Sequence, residues 1–367
     1  MESNKIIRIV FLCVLMGFLL LPALLFNFSG TEAAGEKRLL APPPHLLSGT
    51  ALNPAFFSEA EAYISDRFGL RSPLRLLHST LDAGILHSCF SDRMVLMGKE
   101  GWLFYIDVRG GDDDNLKNFL KEDILTEQQL ARGVELLQNR REWCRAHGME
   151  FLVLICPNKH NVYGEFYPLA QPEGITRGEQ FAAVLSAAGI PFVFPLEEIR
   201  ARKESYGVPL YFKTDTHWNG LGAMIMAEYA RPLLCGLFPD ADFPAPRYTH
   251  TFSPMNGHGD LVSLLGLPAY GDDWAVSVQR VPESVPSGSS AAEDGGNALP
   301  RALLFGDSFS EALEPFLAPY FASVDYRFSR ITEDAKADIL QVQPDIVIWE
   351  WVERKTADII KDVQPDF

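Results

Sequence analysis

The sequence predicts an α/β protein with a mostly parallel sheet flanked by helices. Three observations carry that reading. Short continuous apolar runs at 151–155, 191–194, 302–305 and 346–349 have the length and the β-branched or aromatic content of strands buried on both faces. Between them lie segments of helical periodicity, two of them opened by capping boxes, Thr126 with Gln129 and Thr176 with Glu179. The resulting alternation of strand and helix is the pattern of a doubly wound sheet.

In chain order, residues 6–26 form an apolar run whose only charge is Arg8. As a helix this run spans about 31 Å, enough for a bilayer core. Lys5 and Arg8 at its start, with Glu32 and Glu36 beyond its end, place the N-terminus in the cytoplasm and the remainder outside. Its length exceeds that of a secretory h-region and favours an uncleaved signal anchor. Thr31 and Ala33 leave peptidase cleavage as the alternative. The expected organisation is therefore an anchor helix over 1–30, a tether over 31–54 stiffened by Pro42-Pro43-Pro44, and a folded domain over 55–367.

Asn53 is positioned to cap a helix from Pro54 that carries Phe57, Ala60, Ile64 and Phe68 on one face and ends near Gly69. Gly98-Lys99-Glu100-Gly101 reads as a turn feeding the aromatic strand Trp102-Leu103-Phe104-Tyr105, whose rings are core. Asp112-Asp113-Asp114-Asn115 lacks the alternating carboxylates and bidentate glutamate of a calcium loop and reads as a solvated turn. Residues 126–147 are the clearest helix, with Leu130, Val134 and Leu137 at helical spacing and Gly148 as terminator. Residues 210–212 read as a further strand, and Asn219 caps the helix that follows. Residues 282–300, rich in Pro, Ser, Gly and acidic side chains, read as a surface loop. Residues 324–328 supply another strand.

Composition narrows the function. With 22% charged and 47% hydrophobic residues the chain is globular, and a net charge of −16 disfavours nucleic acid as a partner. Neither His-x-x-x-His nor Cys-x-x-Cys occurs, so no metal or cofactor is expected. Of five cysteines, Cys13 lies in the N-terminal apolar run, and Cys89, Cys144, Cys156 and Cys235, outside it, are about as compatible with buried thiols as with a disulfide, their spacing saying nothing of connectivity.

Two stretches carry chemistry. Asp215-Thr216-His217-Trp218-Asn219 follows the 210–212 segment, and Gly306-Asp307-Ser308-Phe309 follows the strand at 302–305. A serine hydroxyl becomes a useful nucleophile only when a base takes its proton, and a histidine base needs a group to fix its tautomer and balance its charge. Asp215, two residues before His217, is placed to do this on a tight loop. Ser308 on a strand-to-helix turn would have backbone N–H groups nearby for an oxyanion. The bland alternatives are helix capping for Ser308, Asp215 and Asp307 and core packing for His217 and Trp218. Lys159, just past the strand at 151–155, is placed to face the site, or is an ordinary surface lysine. His258 in a glycine-flanked loop is a weaker candidate, and Arg354 reads as a structural ion-pair partner.

Four segments, Asp66 to Arg71, Gly98 to Tyr105, Asp215-Thr216-His217-Trp218 and Gly306-Asp307-Ser308-Phe309, together resemble the SGNH hydrolase-like O-acetyltransferases of bacterial exopolysaccharides, the alginate type. Pro157-Asn158-Lys159, Gly259-Asp260-Leu261 and the stretch from Pro344 to Arg354 add to the match. The resemblance implies an SGNH-like fold outside the cytoplasmic membrane, with Ser308 as nucleophile, His217 as base and Asp215 as its orienter. Lys159, Trp218 and Asp307 are then candidates for substrate binding. In ordinary SGNH esterases the serine comes early and an Asp-x-x-His pair late. Here the histidine comes first and one residue separates it from the aspartate, an order that resembles a circular permutation and that the alginate group shares. No carbohydrate-binding module is expected after the last strand. The resemblance further implies acetyl transfer to a hydroxyl of an extracellular or cell-wall polysaccharide, with a membrane-bound O-acyltransferase as donor partner. A polysaccharide acetyl-esterase with the same triad and a non-catalytic membrane-anchored scaffold are the alternatives.

Overall fold

The structure is a computed structural model that describes scattered residues between 9 and 28, then 40–48, 51–70, 74, 77, 90–91, 94–106, 115–281, 298–332 and 334–361. It divides into two compact units, Met1–Ser91 with Val262–Pro268, and Asp92–Leu261 with Ala269–Phe367.

In the first unit, no helix among the described residues is long and apolar enough to cross a membrane, and much of the 6–26 run lies outside the described residues. The helix expected from Pro54 spans Phe56–Arg67. Asn53 sits before it and accepts from the Ala55 N–H at 3.0 Å, while the N-cap itself is Ala55 without a side-chain bond. The apolar face of this helix is not buried: Phe57, Ile64 and Phe68 are 83%, 54% and 42% exposed. Its anchor is instead the buried Arg67, which donates to the Asn27 carbonyl at 3.1 Å and lies over the Tyr63 ring.

The second unit holds the sheet. A hairpin of β1 (Val95–Met97) and β2 (Leu103–Tyr105) turns through Glu100 and Gly101, both at positive φ. The elements that follow are α1 (Glu127–Ala146), β3 (Glu150–Cys156), α2 (Arg177–Ala187) and β4 (Phe192–Val193). Then come α3 (Gly220–Leu237), the antiparallel pair β5 (Tyr248–Asn256) and β6 (Asp272–Arg280), and β7 (Arg301–Gly306). The chain closes with α4 (Ser308–Leu317), β8 (Ser323–Phe328), α5 (Ala335–Val342) and β9 (Ile346–Val352). The sheet runs in the order β8-β7-β9-β3-β4, every pair parallel. Its central strands are buried on both faces, so one apolar cluster forms on each side of it.

The two capping boxes form as read: Thr126 and Thr176 each accept from the backbone N–H three residues on, and Gln129 and Glu179 reach back to the cap N–H. Residues 210–212 do not join the sheet. Among the described residues Tyr211 bridges to Trp218, because the chain doubles back at once: the Phe212 N–H donates to the His217 carbonyl and the Asn219 N–H to that of Leu210. Cys144, Cys156 and Cys235 are unpaired thiols; Cys13 and Cys89 lie outside the described residues. So do Asp112 to Asp114 and residues 282–297, while Asn115 is buried and opens a short helix, Asn115–Phe119.

Candidate active site

The C-terminal ends of β3, β7 and β9 meet one edge of the sheet, where open α/β folds carry their sites. The loop with Asp215 and His217 arches over this edge. Asp215 Oδ1 accepts from both the backbone N–H and the ring Nδ1 of His217, at 3.0 and 2.6 Å. Its other oxygen accepts from the Asp260 N–H at 2.9 Å. The one-residue spacer is therefore an Asx-type turn in which one carboxylate fixes backbone and ring together. The tautomer follows: Nδ1 carries the hydrogen, and Nε2 is left to accept from Ser308 Oγ, 2.6 Å away. Burial alone would raise the Asp215 carboxyl, but the hydrogen bond and charge of His217, with two backbone N–H groups, hold it well below the usual carboxylate range.

Ser308 is placed by the turn between β7 and α4. Asp307 caps α4 by accepting from the Phe309 N–H at 2.9 Å, and its second oxygen accepts from the Val352 N–H at 3.1 Å. Tyr326 Oη donates to the Asp307 carbonyl at 2.7 Å. Beneath the turn the buried Glu350 accepts from Ser310 Oγ at 2.6 Å, the Asp307 N–H at 3.0 Å and Cys156 Sγ at 2.9 Å. Burial, then the nearby Asp307 charge, push Glu350 up to about 8. Gly306 makes this possible: a Cβ there would stand 2.1 Å from Ser310 Oγ and 2.6 Å from Glu350 Oε2.

Ser308, His217 and Asp215 are thus brought together. The three candidates for substrate binding lie beside them, but each has its polar groups engaged within the protein. Lys159 is 5% exposed and gives its ammonium hydrogens to the carbonyls of Leu103, Lys213 and Asp215 at 2.6, 2.8 and 2.9 Å. Burial lowers it to about 7. It clamps the base loop from below and has no donor left for a sugar. Trp218 is 1% exposed, its indole N–H donating to the Phe309 carbonyl at 3.2 Å, so it is core. Asp307 spends both oxygens on backbone N–H groups. Arg354 lies 5.6 Å from the Tyr105 and Phe309 ring centroids, a cation–π arrangement, and the expected ion pair does not form among the described residues. His258 is exposed in the loop after β5.

Asp260 and Glu350 belong to the site and were not singled out as functional from sequence. For Asp260 the signal is the pair Gly257 and Gly259. A Cβ at Gly257 would stand 2.3 Å from Thr214 Cγ2, and one at Gly259 2.5 Å from Asp215 Cβ, so only glycines let this loop lie against the base loop. Glu350 is a lone acid inside an apolar strand, a pattern that marks a buried polar partner. Asp215, His217 and Asp260 offer ligand atoms within 4.8 Å of one another, but Nδ1 and both carboxylates are engaged in hydrogen bonds within the cluster.

The family model described as SGNH hydrolase-like domain, acetyltransferase AlgX matches residues 95–353. The chain is 26% identical over 275 residues to the probable alginate O-acetylase AlgJ of Pseudomonas aeruginosa, covering 73% of this chain and 66% of that protein, just under two thirds of its length. It is 24% identical over 381 residues to the probable alginate O-acetylase AlgJ of Pseudomonas syringae pv. tomato, covering 96% and 88%. Among solved structures, Bacillus cereus PatB1 with a sulfonyl adduct shares the fold at a TM-score of 0.50 and 16% identity, covering 75% of this chain and 100% of that one. The O-acetyltransferase domain of Pseudomonas putida AlgJ aligns at 0.48 and 19%, covering 72% and 92%.

Proposed function

Because the chain belongs to the SGNH hydrolase-like AlgX acetyltransferase family, we propose that it moves an acetyl group, by way of a Ser308 acyl-enzyme, onto hydroxyls of an extracellular or cell-wall polysaccharide. The observation that carries this reading is the relay Ser308 Oγ–His217 Nε2 and His217 Nδ1–Asp215 Oδ1, each 2.6 Å.

The geometry supports a two-step exchange. His217 Nε2 takes the serine proton as Ser308 Oγ bonds to the acetyl carbonyl carbon. The tetrahedral adduct collapses, the bond to the donor's leaving group breaks, and that group leaves with the proton from Nε2. In the second step the sugar hydroxyl gives its proton to Nε2 as its oxygen bonds to the same carbon, and Ser308 Oγ departs reprotonated. Asp215 balances the imidazolium in both steps. Ser308 heads α4; Asp307 takes the Phe309 and Ser310 N–H groups with its side chain and carbonyl, which leaves the Ser308 N–H as the first-turn donor suited to the oxyanion among the described hydrogen bonds.

In the same reading residues 6–26 are a signal anchor, with Lys5 and Arg8 on the cytoplasmic side and the folded domain outside. The donor group is delivered by a membrane-bound O-acyltransferase, held close by that anchor. The order of Asp215 and His217 before Ser308 is that of a circularly permuted SGNH site.

The test uses the protein from about residue 40 onward, an activated acetyl ester and candidate oligosaccharides, with mass spectrometry of protein and sugars. Acetyl on Ser308 and on sugar with the native protein, and on neither with Ser308→Ala, is the expected result. Acetate release with no sugar modified would replace transfer by hydrolysis, and identical behaviour of the two proteins would remove the serine from the chemistry.

A further inference from the structure

We propose that Asp260 is a positioning residue for the base His217: it holds the Asp215–Thr216–His217 loop closed and sets a second carboxylate beside the imidazole. This rests on the acetyl-transfer reading above.

Asp260 touches two of the three loop residues directly. Its backbone N–H donates to Asp215 Oδ2 at 2.9 Å. Its carboxylate accepts from the Thr216 N–H at 2.8 Å and from Thr216 Oγ1 at 2.5 Å. Thr216 Oγ1 in turn stands 3.2 Å from His217 Nδ1, and Asp260 Oδ2 is 3.8 Å from the same nitrogen. The loop is thereby closed into a ring of hydrogen bonds that runs from Asp215 through Asp260 and Thr216 back to the imidazole. Two N–H or O–H donors aimed at one carboxylate match its ionised form. The close approach is built in, because Gly257 and Gly259 leave no side chain between the two loops.

The consequence is electrostatic as well as structural. When Nε2 takes the serine proton, the imidazolium faces Asp215 at 2.6 Å and Asp260 at 3.8 Å. Asp215 alone would have to orient the ring and balance its charge, with one oxygen already shared between two His217 donors. Asp260 adds a charge too far to compete for the Nδ1 hydrogen yet near enough to stabilise the cation. The other charged groups around the imidazole are Lys159, bonded to the Asp215 carbonyl, Asp273, which accepts from the Lys213 and Thr214 N–H groups, and Arg354 behind the Phe309 ring that packs on His217. Of these, Asp273 and Arg354 make no described contact with Asp260, whereas the Asp260 charge also supports the Lys159 ammonium, so the titration of Lys159 is followed beside that of His217.

The experiment follows Ser308 acetylation by an activated acetyl ester against pH, in native protein, Asp260→Asn, Thr216→Val and Ser308→Ala. Asparagine keeps an acceptor for the Thr216 N–H and removes the charge. Without that charge the imidazolium is less stable, so the acid limb of kcat/KM moves to lower pH, by about 0.5–1 unit, and the plateau falls roughly tenfold as the base weakens. Thr216→Val keeps the Asp260 charge and the backbone bond but cuts the hydroxyl link. It is expected to lower the plateau with a smaller displacement of the limb in the same direction. NMR titration of the His217 ring in native and Thr216→Val proteins reads the coupling without turnover, which keeps a result available if Asp260→Asn folds poorly. A limb and plateau unchanged in Asp260→Asn, or a His217 titration unchanged in Thr216→Val when Asp260→Asn does not fold, overturns the inference while Ser308→Ala stays inactive. Retained acetylation in Ser308→Ala overturns the acetyl-transfer reading itself.

Discussion

Lys159 Nζ donates to the main-chain carbonyl of Asp215 at 2.9 Å, so the residue that orients the base is itself held from beneath by a buried ammonium. The same ammonium holds the Leu103 carbonyl on β2 and the Lys213 carbonyl at the start of the loop, and it lies over the Trp102 and Phe104 rings. One side chain therefore ties the hairpin β1–β2, the end of β3 and the base loop together. Its burial is satisfied by three carbonyls and two ring faces, with no direct carboxylate partner among its described contacts.

Replacing Lys159 by Met is expected to cost about 3–5 kcal/mol, because it leaves three carbonyls without their donor in a low-dielectric setting. That corresponds to a thermal midpoint lower by roughly ten degrees for a unit of this size. Thermal unfolding followed by circular dichroism checks the value. An unchanged midpoint would mean that the lysine is not the clamp these distances describe, and would return it to the role of a ligand-binding cation.

Asp215→Asn is expected to lower kcat/KM for Ser308 acetylation by about 10²–10⁴-fold with little change in KM. The amide can present its NH₂ to Nδ1 and so favour the wrong tautomer, without disturbing the surface the donor meets. Steady-state kinetics with an activated acetyl ester separate the two parameters. A loss confined to KM would show that Asp215 acts on substrate and not through His217.

The legible part of this molecule was the part set by local chemistry. Both capping boxes, the apolar runs that form the sheet strands and the Asp-x-His turn depend on neighbours within a few residues, and each is visible in the local sequence. The meeting of His217 with Ser308 is long-range: the apolar run before Ser308 is a sheet strand that ends at the site, whereas the run before His217 lies outside the sheet, so the Asp-x-His and Gly-Asp-Ser motifs and not sheet position pointed to the pair. What was missed concerns where a polar side chain points. Lys159 follows a strand end, which suggested an exposed cation, but the hairpin β1–β2 covers it with Trp102 and Phe104. The segment before the base loop has the composition of a strand, yet it turns back at Thr214 and pairs with Trp218 instead of the sheet. The approach of Asp260 to the base loop and of Glu350 to the Ser308 turn depends on glycines at 257, 259 and 306, and a glycine alone does not name what approaches it.

Trp218→Phe separates core from ligand surface. The change removes the indole N–H that donates to the Phe309 carbonyl and leaves a small void, for a cost of about 1–3 kcal/mol. Because the ring is buried beside Phe309, KM for the acetyl donor and for a sugar acceptor is expected to stay within about twofold. A KM for the acceptor raised tenfold, with stability intact, would place the indole against the sugar.

Glu350 gives the pH dependence its sign. Its folded carboxyl titrates near 8 where an unfolded glutamate titrates near 4.5, so the folded state keeps a proton that the unfolded state has released. The contribution is complete below the unfolded value, and stability falls as pH rises through about 4.5 to 8, by a few kcal/mol in all. Two other buried groups act in the opposite sense. His160, lowered by burial to about 3, makes stability rise with pH up to the ordinary histidine range, and Lys159, lowered to about 7, makes it rise above neutrality. Asp215, held low, adds stability that is lost only as the solution becomes strongly acidic. The native curve is therefore a near-cancellation, and the informative quantity is the difference between native protein and Glu350→Gln. Glutamine keeps an oxygen for the Asp307 N–H or Ser310 Oγ and cannot titrate. Denaturant unfolding at pH 5, 6, 7 and 8 is expected to show the variant gaining on the native protein at each step, by up to about 1.4 kcal/mol per pH unit. Parallel curves for the two proteins would mean that Glu350 is ionised throughout this range. In that case the buried charge beneath the Ser308 turn is balanced by Ser310, Cys156 and the Asp307 N–H alone.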